Sequence, residues 1–179
     1  MSSSHQPPAL NLVGIGHSYG SLTIYSAPKA VLTHIQWSIN EVLGRPHELK
    51  WSSQPLTPGA YRTRLSWSGA LGIGAKLASS LRGWHYLKFE VYEAAMHGSD
   101  GSVYLFTPEL GLYRSNVGSH GDIMINEHQL NYVLSNYIKE SDVVVEIEKI
   151  LGKQWNESLE PYRRIEIDGL DEVAGRISV

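Results

Sequence analysis

The chain has 179 residues and a mass of 19.9 kDa, with 42% hydrophobic and 18% charged residues, which suits one globular domain with elaborations and is short for two. It contains no cysteine, which excludes disulfides, thiolate zinc sites and cysteine nucleophiles and leaves carboxylates and eight histidines as candidate metal ligands. A net charge of −3 disfavours nonspecific binding to nucleic acid or anionic lipid, no apolar run nears the ~20 residues of a membrane span, and "MSSSHQPPAL" lacks the cationic start of an export signal, so a soluble cytoplasmic protein is expected.

Residues 1–19 mix Ser, Pro, Gly and His and read as an irregular leader to a single domain over 20–164, with a polar tail over 165–179. "SLTIY" is strand-like, Ser26-Ala27-Pro28 resembles a helix opening, and Val31, Leu32, Ile35, Ile39, Val42 and Leu43 recur at helical spacing until Gly44 and Pro46. Strand-like "HELKWSS" and "AYRTRLSWS" follow, the second with Tyr61, Thr63, Leu65 and Trp67 on one face and Arg62 and Arg64 on the other. "GALGIGAKLASSLRG" reads as a second helix through Ile73, Leu77 and Leu81, and "WHYLKFEVYEA" as another alternating strand.

This β-α-β-β-α-β order over 20–95 predicts an α+β fold, a ferredoxin-like two-layer sandwich with an antiparallel sheet, two helices on one face and the other face free. Residues 96–164 are expected to form a C-terminal hairpin and helical extension. "SVYLFTPELGLYRSNV" would turn near Pro108 to Gly111, and Asn126 with Gln129 has capping-box spacing for a helix through Leu130, Val133 and Leu134. Ser141 opens another helix through Val144, Ile147 and Ile150, and "YRRIEI" reads as a last strand.

Three stretches carry candidate chemistry. "GHSYG" is a G-x-S-x-G around Ser18, but a strand follows it where a nucleophile elbow needs a helix, so it reads as a Gly-rich entry to the first strand. "GALGIGAK" places glycines before a helix, yet Ala75 separates Gly74 from Lys76 and Leu77 replaces the hydroxyl of a phosphate loop; small residues for close packing are the simpler reading. "RSNVGSHGDIMINEH" is the most polar constellation. His120-Gly121-Asp122 matches part of a two-histidine, one-carboxylate metal site, but His128 sits at a helix start, and turns with a capping asparagine explain the segment.

The candidate binding surface comprises Tyr25, Arg62, Arg64, Tyr86 and Lys88 on the free sheet face, with Arg114, Trp155, Tyr162 and Arg163 from the extension. "YSAPKAVLTHIQWSINEVLG", "LRGWHYLKFEVYE", "TPELGLYRSNVGSHGDIMINE" and "LGKQWNESLEPYR" together resemble an uncharacterised actinobacterial family known as a domain of unknown function, DUF3145, over about residues 20–164. The resemblance implies no catalytic or ligand residue. It leaves Ser18 outside the family pattern, and it implies a link to lipid or central carbon metabolism.

The resulting reading is a non-catalytic cytoplasmic binding or regulatory module without a cofactor or bound metal. It would hold a protein partner, a second copy of itself or a small anionic ligand on the sheet face and the Gly118–Glu127 loop. The alternatives are an enzyme with His120 as base oriented by Asp122, a hydrolase using Ser18, and RNA binding through Tyr25, Arg62, Arg64 and Tyr86.

Overall fold

The structure is a computed structural model that describes residues 16–96 and 98–176, with side chains through residue 165. Strand β1 (His17–Pro28) buries residues 22–27 in an unbroken row. Successive strand residues point to opposite faces, so such a row needs cover on both sides of the sheet. β1 lies between β3 (Ala60–Ala70) and β4 (Lys88–Glu93) and runs antiparallel to each. With β2 (Ser52–Ser53), β5 (Gly101–Thr107), β6 (Gly111–Val117) and β7 (Ile123–Met124) the sheet has the order β2-β3-β1-β4-β5-β6-β7, antiparallel throughout.

A short 3-10 turn (Lys29–Val31) leads into α1 (Leu32–Leu43), which ends at Gly44 with φ 66°, and α2 (Ile73–Leu81) follows β3. These two helices cover one face of the sheet. Ile35 and Ile39 from α1, and Leu77 and Leu81 from α2, pack with Leu22, Ile24, Trp67, Phe89 and Val91 in the main core. The other face is covered by α5 (Lys153–Arg176), whose Leu159 is fully buried against Tyr25, Leu105 and Tyr113. Between β7 and α5 stand α3 (Glu127–Asn136) and α4 (Glu140–Ile150).

The expected ferredoxin-like two-layer sandwich is therefore corrected, although the class remains α+β. Among the described residues the sheet has seven strands rather than four, with five α-helices rather than two with an appendage. The expected C-terminal hairpin is β5–β6, and β5 pairs with β4 from Phe89↔Phe106 to Glu93↔Ser102, so the hairpin widens the same sheet. The expected last strand "YRRIEI" lies within α5. There Trp155, Leu159 and Tyr162, at i, i+4 and i+7, form one apolar stripe against the sheet, and that burial outweighs both the strand-like alternation and the backbone bond lost at Pro161. Ser26 is also not a helix cap. It is buried in β1 opposite Lys88, and the chain turns helical only after Pro28. β1 begins at His17, three residues before the expected domain start, and the backbone of α5 reaches Arg176; of the leader, residues 1–15 lie outside the described residues.

One buried carboxylate locks α2 to the sheet. Glu93, 4% exposed at the end of β4, accepts hydrogen bonds from the amides of Gly72 (2.7 Å) and Gly74 (3.0 Å) at the start of α2. These are two of the donors that a helix leaves unpaired at its first turn, and a negative charge there is favoured by the helix dipole. The approach needs glycine, because a Cβ on Gly74 would stand 2.7 Å from Glu93 Oε2. Glu93→Ala is expected to lower unfolding free energy by about 1–3 kcal/mol, the cost of orphaning buried donors. Hydrogen exchange at residues 72–75 should accelerate with it, and Glu93→Gln should lose less because one oxygen acceptor remains.

Candidate functional site

The face that the sequence leaves free is largely a docking seam for α5. Arg163 donates to Glu90 Oε2 from Nη2 (2.6 Å) and Nε (3.0 Å) and to Asn156 Oδ1 from Nη1 (3.0 Å), while the Tyr25 hydroxyl donates to the same Glu90 oxygen at 3.2 Å. Burial works against the guanidinium charge, but Glu90 and Tyr25 outweigh it and hold the Arg163 pKa above its ordinary value. Tyr162 lies 6.2 Å from the Tyr25 ring, its hydroxyl is 3.3 Å from that of Thr57, and Lys88 sits over its face while pairing with Glu109 at 3.0 Å. Trp155 donates its indole N–H to the Gly111 carbonyl at 2.9 Å and packs on Tyr113. Tyr25, Lys88, Trp155, Tyr162 and Arg163 are thus all engaged within the chain. A small hollow of about 190 Å³ remains beside Glu90, Arg163 and Asn156.

The remaining candidates are scattered. Arg62 and Arg64 lie on β3, Arg64 exposed, and Tyr86 is exposed in the connection before β4. Tyr25 is buried under α5, so the four residues expected to bind RNA do not form one open platform. Ser18 is fully buried in β1, opposite Gly69, with its hydroxyl unpartnered among the described residues. Ten more strand residues follow it, so the exposed turn of a nucleophile elbow is absent at that serine. His120 and Asp122 are exposed in the turn between β6 and β7, which is closed by main-chain bonds Gly118 N to Asp122 O and Gly121 N to Gly118 O. Neither side chain bonds to a described residue, and no cluster of three His, Asp or Glu suited to a metal occurs among the described residues.

The structure instead brings together a polar groove on the opposite face, where the sheet outgrows its helices. On β6, Leu112 still packs against the α1–α2 core, but Arg114 and Asn116, on the same face, lie beyond it. The register sets Tyr104 opposite Arg114 and Ser102 opposite Asn116, which places the guanidinium over the Tyr104 ring, 5.8 Å from its centre. Two hollows, of about 320 and 460 Å³, share Asp100, Arg114 and Asn116. The first reaches Gly72 and Glu93 at the start of α2; the second reaches Met124, Asn126 and Gln129 at the start of α3. Asn126 and Gln129 are held there by the anticipated capping box, with Gln129 N to Asn126 Oδ1 at 2.8 Å and Asn126 N to Gln129 Oε1 at 3.3 Å. Arg114 forms no hydrogen bond or ion pair with a described residue, unlike Arg163. Of the groove residues the sequence singles out Arg114 and, within the Gly118–Glu127 loop, Met124, Ile125 and Asn126; the partners Ser102 and Tyr104 come from the β5–β6 register, which composition and periodicity do not encode.

These features define an α+β protein with a seven-stranded antiparallel sheet covered on one face by two helices and on the other by a C-terminal helix. The chain belongs to DUF3145, a family of proteins of unknown function, whose model matches residues 21–170. No curated protein and no solved structure matches it. No helix of the described residues is long and apolar enough to cross a membrane.

The α5 seam generates a pH dependence. Tyr113 is buried, its hydroxyl donates to the Ile150 carbonyl at 2.7 Å, and burial raises its pKa above the ordinary 10.0. A raised folded pKa means that the fold favours the protonated phenol, so this contribution is intact below pH 10 and is lost as pH rises through the folded value. Tyr113→Phe should cost about 0.5–1.5 kcal/mol at neutral pH, as expected for one hydrogen bond. In urea unfolding followed from pH 8 to 11, the gap between wild type and variant should narrow above pH 10.

Proposed function

We propose that this protein is a non-catalytic cytoplasmic module that binds a small ligand carrying a carboxylate or phosphate in the groove around Arg114. The observation that carries this reading is an arginine laid over a buried tyrosine, unpaired with any described residue, where two hollows meet. A guanidinium is strongly suited to bidentate recognition of planar or tetrahedral oxyanions, and stacking on Tyr104 reduces the freedom it loses on binding. Asp100, Asn116, Ser99 and Ser102 line the same space and offer acceptors and hydroxyls. The favoured ligand therefore carries an anionic group beside hydroxyl or amino donors. Glu93 keeps its charge at the inner end of the groove, but both of its carboxylate oxygens are turned to the amides at the start of α2.

The sequence's candidates for catalysis are not assembled among the described residues: Ser18 is buried, and His120 and Asp122 are exposed in an open turn. The actinobacterial source and the link to lipid or central carbon metabolism that the resemblance implies fit such a ligand, since intermediates of both are rich in carboxylates and phosphates.

Thermal unfolding in the presence of hydroxy acids, amino acids, dicarboxylates and inorganic phosphate tests the reading. At least one compound should raise Tm in a saturable way. Arg114→Ala should weaken that compound about 10- to 100-fold, corresponding to a charge-assisted bond of about 1.5–3 kcal/mol, with little change in the stability of the free protein. A ligand series without effect, or an effect retained by Arg114→Ala, would reject the groove.

A further inference from the structure

The α3–α4 hairpin has a surface unlike the rest of the described chain. Val133 is the one buried residue of α3, and α4 has none. The pair nevertheless presents Leu130 (40% exposed), Tyr132 (58%), Leu134 (60%), Val144 (49%) and Val145 (56%), with Ile138 wholly exposed between the helices. Leu130 and Leu134 are one turn apart on α3 and share a face. Isolated exposed apolar residues need no explanation, but six large ones concentrated on two neighbouring helices and the link between them are unusual, with Leu130 and Leu134 sharing one face of α3 and Tyr132 on another.

Charge identifies the kind of partner. Residues 127–150 contain Glu127, Glu140, Asp142, Glu146 and Glu148 against Lys139 and Lys149, a balance of −3 that equals the formal charge of the entire chain. Glu146 and Glu148 have lysine partners, Lys149 at 3.9 Å and Lys153, whereas Glu140 and Asp142 in the first turn of α4 have no ion pair with a described residue. Two such acidic faces repel each other, which disfavours a second copy, and an apolar surface with an acidic border attracts an apolar segment with a basic one. Helix-in-groove recognition has this pairing of apolar anchors and charged flanks.

We propose that the α3–α4 hairpin docks an amphipathic, lysine- or arginine-rich helical segment of a partner protein, independently of the ligand in the Arg114 groove. The probe is a synthetic amphipathic helix of leucine and lysine, ~14 residues or about four turns, with a leucine–glutamate peptide of the same pattern as control. Binding to the full chain is measured by calorimetry and mapped by amide chemical shifts. The lysine peptide should bind, shift amides within residues 127–150, and weaken with rising salt. The double variant Leu134→Ser/Val145→Ser, at two exposed positions, should reduce its affinity at least about 10-fold while circular dichroism stays unchanged. Equal binding of the glutamate peptide, shifts centred elsewhere, or no binding would overturn the proposal. So would concentration-dependent dimerisation abolished by the double variant, which would make the occupant a second copy.

Discussion

Everything in this fold follows from the burial of β1 on both faces. Residues 22–27 cannot all leave water unless helices cover both sides of the sheet, and α1–α2 supply one layer and α5 the other. The strand also breaks register at that point, between Ile24 and Ala27 against β3 and between Ile24 and Ser26 against β4. Such a bulge disrupts ladder bonds, and here Gln54, 2% exposed, donates its side-chain amide to the Tyr25 carbonyl at 2.6 Å. The same irregular stretch presents the Tyr25 ring to α5, where it meets Tyr162 and shares Glu90 with Arg163. The seam that closes the second face is thus built around the irregular segment of the central strand.

The consequence for function lies on the other face. Two helices of 12 and nine residues cannot roof a seven-stranded sheet, so cover ends near Leu112 and the outer part of β5–β6 remains open. Glu93 fixes the edge of that roof by pinning the start of α2 to β4, and the capping box of α3 fixes the far wall. The groove is therefore walled by β5, β6 and the starts of α2 and α3, while Ser99 and Asp100 come from the connection between β4 and β5.

How far the sequence discloses this depends on the range of the interactions. Local signals transfer well: Ile35 and Ile39 on α1, the stop at Gly44, the turn before Gly111, and the Asn126–Gln129 capping box all rest on contacts within a few residues. Nonlocal ones do not. The pairing of β4 with β5 makes one wide sheet of two predicted pieces, and neither strand carries a mark of its neighbour. The α5 stripe of Trp155, Leu159 and Tyr162 is readable at helical spacing, but Pro161 and the alternation of "YRRIEI" obscure it, and aromatic residues that read as an outward interface turn inward. Glycines of "GALGIGAK" resemble a phosphate loop in part, although close packing is the simpler reading of them. The anion present is the side chain of Glu93, 19 residues beyond Gly74, a partner that no local motif reveals.

Arg114 and Arg163 show why the groove differs in kind from the seam. Both are arginines near tyrosine rings on the same sheet, one on each face. Arg163 has its charge answered by Glu90, its forked donors used by Glu90 and Asn156, and a quarter of its side chain exposed; it is a structural clamp. Arg114 has a ring beneath it, hydroxyls beside it and no anion bonded to it from a described residue. A fold gains little stability from an exposed guanidinium over a tyrosine, of order 0.5–1 kcal/mol, so structural need alone accounts poorly for an arginine there. On the proposed reading, an oxyanion brought by a ligand would complete at Arg114 the pairing that Glu90 already completes at Arg163, and that difference is what sets the open face of β5–β6 apart from the α5 seam.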